Sequence, residues 1–254
     1  MIASYLRYLF TAGNEHGLHS PFVFDLYTQV IRSREKQPVF EEIERIRAAM
    51  KARTDEIEIV DYGAGSRRTN APRRKISTIA RNAQKTPKFS QLLYRLIAHF
   101  QPEVIFDLGT SLGITTLYEA KAAPQSKIYS FEGCPETARV AAGNLQSASQ
   151  VTIVTGNLDE TLKAQVEQVT QIDFAFFDAN HRYEPTVRYF ETCLRKAHAD
   201  SVFVFDDIHW SKEMEKAWTE IQAHPSVTVT IDLFFVGLVF FRKKQPTQHF
   251  VLRF

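Results

Sequence analysis

Residues 104–121 confine this chain to the α/β class. Val104-Ile-Phe-Asp-Leu-Gly-Thr-Ser-Leu-Gly113 is an apolar run ending in an acid and two glycines, and Ile114-Thr-Thr-Leu-Tyr-Glu-Ala-Lys121 follows it. The pattern reads as a buried strand, a tight turn and the first turns of a helix. Glycines at such a junction let the backbone approach a ligand, and the helix N-terminus offers free N–H groups. A second acid, Glu132, closes the next strand, Lys127-Ile-Tyr-Ser-Phe-Glu132, 25 residues beyond Asp107 (132 − 107). Acids at the ends of two adjacent strands suit a ligand that carries ribose hydroxyls.

The same alternation continues to the C-terminal part of the chain. Expected helices cover 89–100, 112–122, 135–147, 158–169, 184–197 and 211–223. Expected strands cover 103–108, 127–132, 151–155, 172–178 and 201–206, with two more over about 226–232 and 234–242. Strands that alternate with helices imply a doubly wound, mostly parallel sheet. The last two strands have almost no connector, so they should form an antiparallel hairpin at the sheet edge. Seven strands result, with a helical extension ahead of them: 1–84 as the extension and 85–254 as the sheet domain.

Composition narrows the class further. Charged residues make up 24% and apolar ones 44%, and the net charge of +2 is too small to indicate a polyanion partner. Cys134 and Cys193 are the two cysteines, and they form no CxxC or metal-ligand spacing. That favours a reducing, cytoplasmic location. No run of about 18 apolar residues suggests a membrane span. Near the start, Ile2, Tyr5, Leu6, Leu9 and Phe10 share one helical face, which favours a docking helix over a membrane-surface anchor. Glu41 to Lys51 reads as an amphipathic helix with Ile43, Ile46, Ala49 and Met50 inward.

Two further segments compete for attention. Asp61-Tyr-Gly-Ala-Gly65 imitates a nucleotide turn, but a basic loop with a proline follows it instead of a helix start. That loop carries Arg67, Arg68, Arg73, Arg74 and Lys75. It could clamp a phosphate, a CoA-like tail or an RNA backbone, although a solvated charged loop is the commoner outcome. His16-Gly-Leu-His-Ser-Pro-Phe-Val-Phe24 is an odd cluster that a helix cap at Ser20 with Pro21 in first position largely explains.

Over about residues 85–245 the chain resembles the class I S-adenosylmethionine-dependent methyltransferases, and within them the small-molecule O-methyltransferases of the catechol and caffeoyl-CoA type. Phe106-Asp-Leu-Gly-Thr-Ser-Leu-Gly113 matches the family's first motif, which implies cofactor contacts at Asp107, Gly109, Thr110, Ser111 and Gly113. The resemblance places Glu132 on both ribose hydroxyls and Asn157 and Leu158 at the adenine-side turn. Asp178 falls at the end of the fourth strand and Asp206-Asp207 at the end of the fifth. Metal-using relatives hold one divalent cation with acids at these positions, which implies Asp178, Asp206 and Asp207 as ligands for Mg²⁺ or another divalent cation. The family's base is a lysine three residues after the first of these acids. This chain has His181 there, so His181 and Asp178 become the catalytic candidates.

Such a site can be argued chemically. Methyl transfer is an in-line displacement, so alignment and exclusion of water dominate. A helix N-terminus behind the glycine turn suits the cofactor's carboxylate, and the loop Lys85–Gln91 should wall the cofactor. A histidine near neutral pKa suits general-base work, and a cation held by carboxylates would lower a hydroxyl's pKa. The alternative is that Asp206 caps the next helix and Asp207 is solvated, while Asp178 contacts the cofactor side alone. His209 and Trp210 could wall the acceptor pocket, although a Trp210 packed on its helix fits equally well. The expected function is O-methylation of a small or medium-sized acceptor, with anionic ones among the candidates. An RNA or protein methyltransferase using loop 67–75 ranks second, and a cofactor-binding protein without turnover third. A nicotinamide dehydrogenase is disfavoured because Gly109-Thr-Ser-Leu-Gly113 lacks the GxGxxG spacing. The N-terminal helices could set acceptor specificity or pair two copies as a homodimer.

Overall fold

The computed structural model describes residues 2–60, 72–243 and 245–254. Its strands are β1 (Glu56–Glu58), β2 (Arg73–Lys75), β3 (Val104–Leu108), β4 (Lys127–Glu132), β5 (Val151–Thr155), β6 (Phe174–Phe177), β7 (Val202–Asp206), β8 (Val229–Asp232), β9 (Val236–Phe240) and β10 (Gln248–Val251). β1 and β2 form a small antiparallel pair, and the other eight form one sheet in the order β10-β8-β9-β7-β6-β3-β4-β5. The sheet is mostly parallel, with β9 antiparallel to both β7 and β8. β3, β6 and β7 are apolar almost throughout, as parallel strands covered on both faces require.

The expected hairpin of β8 and β9 is present, but it is not the edge. An eighth strand, β10, pairs parallel with β8 and takes that place. It escapes a reading by periodicity because it is four residues long and includes Gln248 and His249. Observed helices are also trimmed: Pro135–Asn144 and Leu158–Val166 each end three residues before the expected limit.

The chain divides into two compact units, Arg34–Thr161 and Met1–Ser33 with Leu162–Phe254. In the first, β3, β4 and β5 run parallel, and the helices Pro87–Phe100 and Pro38–Ala52 both pack against the helix Ile114–Ala122. The buried positions of Pro38–Ala52 are Phe40, Ile43, Arg47 and Met50. Ala49, expected inward, is exposed, and the charged Arg47 holds the inward place. Part of the expected basic loop is strand: Arg73 to Lys75 pair with Glu56 to Glu58. Arg67, Arg68 and the Asp61–Gly65 turn lie outside the described residues.

In the second unit the start of the chain folds over the last strand. Gly13 bridges to Leu252, and the hydroxyls of Tyr8 and Tyr27 donate to the carbonyls of Leu252 (2.6 Å) and Arg253 (2.8 Å). Edge protection of this kind removes a template for unwanted pairing. The helix Ile2–Thr11 docks through Tyr8, with Tyr5 edge-on to Phe234 at 4.8 Å between centroids. Leu6, Leu9 and Phe10, expected on the docking face, are exposed. Ser20 caps the helix Pro21–Asp25 by accepting from the Val23 N–H at 3.4 Å, with Pro21 in the first turn as expected. The chain then continues through a π-helical stretch, Leu26–Ile31.

Candidate functional site

The glycine turn owes its shape to backbone conformations that side chains resist. Gly109 and Gly113 have φ of 124° and 77°, and Ser111 between them has φ of 49°. A Cβ at Gly113 would also lie 3.1 Å from Leu145 Cδ1 and 3.2 Å from Ala141 Cβ. The N–H groups of Gly109 and Thr110 both donate to the Phe131 carbonyl, and that of Gly113 donates to Thr110. The turn is therefore braced internally. An anion is left to the start of the helix Ile114–Ala122, where unpaired N–H groups and the helix dipole converge.

Asp107 belongs to that brace. It is fully buried, and its Oδ2 accepts from Thr116 Oγ1 at 2.6 Å and from Ser130 Oγ at 2.7 Å. Ser130 Oγ in turn lies 2.6 Å from Thr110 Oγ1. Asp107 thus fixes strand, turn and helix to one another. Thr116 and Ser130, which no motif singles out, complete the arrangement.

Glu132 faces the turn. Its Oε2 accepts from the Ser111 N–H at 2.8 Å and its Oε1 from the Cys134 N–H at 2.9 Å. Each carboxylate oxygen can accept more than one hydrogen bond, so both remain able to receive hydroxyls. The Gly156 N–H donates to the Glu132 carbonyl at 3.0 Å, which brings the 156–158 segment beside it. Asn157 has a local role there. Its Oδ1 accepts from the Asp159 N–H at 3.1 Å, and its carbonyl accepts from the Glu160 and Thr161 N–H groups. Leu158, half-buried, is the first residue of the helix it starts.

The second unit gathers the remaining candidates. Asp178 follows β6, and Asp206 is the buried last residue of β7. His181 points Nε2 at three carboxylates: Asp206 Oδ2 at 3.3 Å, Asp178 Oδ1 at 3.4 Å and Asp207 Oδ2 at 3.8 Å. The backbone is left-handed at Asn180 (φ 68°), His181 (φ 48°) and Asp207 (φ 53°), and such strain tends to gather at functional sites. Burial pulls the His181 pKa down, but hydrogen bonds and charge from Asp178 and Asp206 outweigh it and push it up to about 10. Near neutral pH the ring is therefore an imidazolium that compensates the acids. It can act as a base only after releasing that proton.

Asp206 does not cap the next helix. Ser211 does, accepting from the Met214 N–H at 3.2 Å. One ligand atom each from Asp178, His181 and Asp206 lies within 4.8 Å of the others. Two carboxylates and an imidazole suit a divalent cation, so the donor set fits a metal. Asp207 sits at the rim of this trio, with its N–H fixed on the Phe235 carbonyl at 2.7 Å. His209 is engaged by other partners: its Nε2 lies 2.7 Å from Asp232 Oδ2, and its ring stacks on Phe234 at 5.1 Å. Trp210 is exposed, and the tryptophan that packs from the following helix is Trp218.

The family model of a methyltransferase domain matches residues 106–208. Residues 106–208 thus carry the pattern of a methyltransferase domain. A catechol O-methyltransferase of Niastella koreensis is 34% identical over 126 residues, which are 48% of this chain and 55% of that protein. The chain thus spans about half the length of the curated relative it matches. Among solved structures, the O-methyltransferase TomG from Streptomyces achromogenes in complex with SAM superposes with a TM-score of 0.58 at 15% identity. That match covers 87% of this chain and 95% of TomG. An O-methyltransferase from Bacillus cereus in complex with SAH gives 0.56 at 18%, covering 86% and 97%. At such identities these structures show the shared methyltransferase fold.

Proposed function

We propose that this methyltransferase binds S-adenosylmethionine at the glycine turn and methylates a hydroxyl oxygen of a small acceptor. The observation that carries the reading is the Ser111–Glu132 contact of 2.8 Å, which sets a ribose-binding carboxylate against the turn. When bound, the cofactor supplies an electrophilic methyl group on a sulfonium. Glu132 accepts both ribose hydroxyls, the 156–158 segment borders the adenine, and the start of the helix Ile114–Ala122 receives the carboxylate.

On the acceptor side, Asp178, Asp206 and His181 manage the proton that the hydroxyl must release. They do so as acid–base groups or as ligands of a divalent cation that lowers the hydroxyl's pKa, with Asp207 at the edge of the ligand set. Residues 1–33 share a compact unit with this trio, so they are the part of the N-terminal segment best placed to select the acceptor. No helix among the described residues is long and apolar enough to cross a membrane. Both cysteines are free and buried, which accords with a cytoplasmic enzyme.

The test is calorimetric titration with S-adenosylmethionine, followed by mass spectrometry of reactions with catechol as first acceptor, since the Niastella relative carries that name. Cofactor binding with a mass gain of one methyl on catechol supports the proposal. Absence of cofactor binding removes it.

A further inference from the structure

The helix Pro38–Ala52 lies outside the matched domain, yet it carries a buried charge with a defined set of partners. Arg47 is 2% exposed. Its Nε donates to Glu44 Oε1 at 2.9 Å, one terminal nitrogen to the Lys85 carbonyl at 2.6 Å, and the other to Ser90 Oγ at 3.3 Å. The same Glu44 oxygen accepts from the Tyr118 hydroxyl at 2.9 Å, and that hydroxyl also meets Gln91. Tyr118 is fully buried in the helix that begins after Gly113. Burial first, and then Glu44, push its pKa well above the usual range, so it stays a donor.

We infer that Arg47 is a positioning residue for the methyl donor: it ties the 85–91 segment to the helix that follows the glycine turn. The inference rests on the reading of that turn as the donor site. Three features support it. First, a buried guanidinium is costly unless its donors are met, so a simple packing role would be filled better by an apolar side chain at this inward position. Second, its partners are concentrated where geometry matters. Lys85 and Ser90 flank the start of the helix Pro87–Phe100, and Tyr118 lies one turn inside the helix whose N-terminus faces the donor's anion. Third, other contacts fix the same register. Glu42 pairs with Lys121 at 3.5 Å, and the Phe40 ring meets Tyr118 and Tyr94 at 5.5 and 4.9 Å. The Glu44–Arg47 pair reaches both the helix and the segment ahead of it, beside the direct meeting of Tyr118 and Gln91. Loss of the pair loosens the coupling of the two walls while the apolar contacts keep the helices together.

The test is calorimetric titration with S-adenosylhomocysteine, run well below every variant's melting temperature. Arg47→Met should weaken binding by about tenfold, the scale of one charge-assisted hydrogen bond. Tyr118→Phe, which removes one hydroxyl and folds readily, should weaken it in the same direction. Arg47→Lys keeps the charge without the fork and should recover part of the loss. Gly237→Ala, in the other compact unit, serves as a control that lowers stability alone and should bind as the wild type does. The inference falls if Arg47→Met and Tyr118→Phe both bind within about twofold of wild type, or if the control loses affinity to the same degree as Arg47→Met. If the wild type itself binds no S-adenosylhomocysteine, the donor-site reading falls first.

Discussion

The Ser111 N–H donates to Glu132 Oε2 at 2.8 Å, so the glycine turn and the acid of the next strand form a single rigid fixture. The left-handed φ of 49° at Ser111 aims that N–H at the carboxylate, and the Cys134 N–H holds the other oxygen. A carboxylate fixed in this way loses little freedom when it takes two hydroxyls, which favours tight binding.

Glu132→Ala should therefore weaken S-adenosylmethionine binding by well over tenfold, through loss of two charge-assisted hydrogen bonds worth about 1.5–3 kcal/mol each. Glu132→Gln keeps the shape and one acceptor, and it should fall between the two. Calorimetry decides the matter, and equal affinity in Glu132→Ala would dismiss the ribose assignment.

Gly237 makes a different kind of prediction. It sits within β9, and a Cβ there would meet the Trp218 indole at 2.5 Å. Gly237→Ala should cost about 1–3 kcal/mol by overpacking, a drop of roughly 2–12 °C in melting temperature for a chain of this size. Thermal unfolding followed by circular dichroism measures it. Pairing with Trp218→Phe should recover part of the loss, and no drop at all would mean that the indole moves freely.

How much of this could be read from sequence follows from how local each feature is. The donor turn is legible because strand, glycines and helix are contiguous, and Glu132 closes the very next strand. The acid cluster is only half legible. Asp178 and Asp206 mark strand ends, but the distances that bring His181 Nε2 to both depend on left-handed backbone at Asn180 and His181, which no pattern announces. Arg47 runs against the usual expectation, because a charge at helical period reads as solvent-facing until its partners 37 to 43 residues away are in view. β10 is too short and polar to register, and its pairing depends on β8.

Stability should vary with pH through His181. Its pKa rises from 6.5 in the unfolded chain to about 10 in the folded one. A raised pKa means that the folded state holds the proton more tightly. The contribution is thus complete below about pH 6.5 and declines as pH climbs toward about 10. Urea unfolding of wild type and His181→Gln across this window, in the absence of added metal, should show a wild-type advantage that shrinks as pH rises. A constant difference would show that the ring does not carry the proton.

Metal binding should run in the opposite direction with pH. The proton on His181 and a cation compete for the same cluster, whether the ring acts as a ligand or only as a neighbouring charge. Mn²⁺ affinity, followed by electron paramagnetic resonance, should therefore strengthen as pH rises from about 6 to 9, with a limiting slope near tenfold per unit. In His181→Gln that slope should flatten, because the competing proton is gone. Asp206→Asn should nearly abolish binding at every pH, since Asp206 is the buried acid of the trio, 3.3 Å from the imidazole. If metal assists the reaction, EDTA should stop methylation and Mg²⁺ or Mn²⁺ should restore it. If turnover is indifferent to chelator while Asp178→Asn and His181→Gln still lose it, the proton is handled by those two side chains alone.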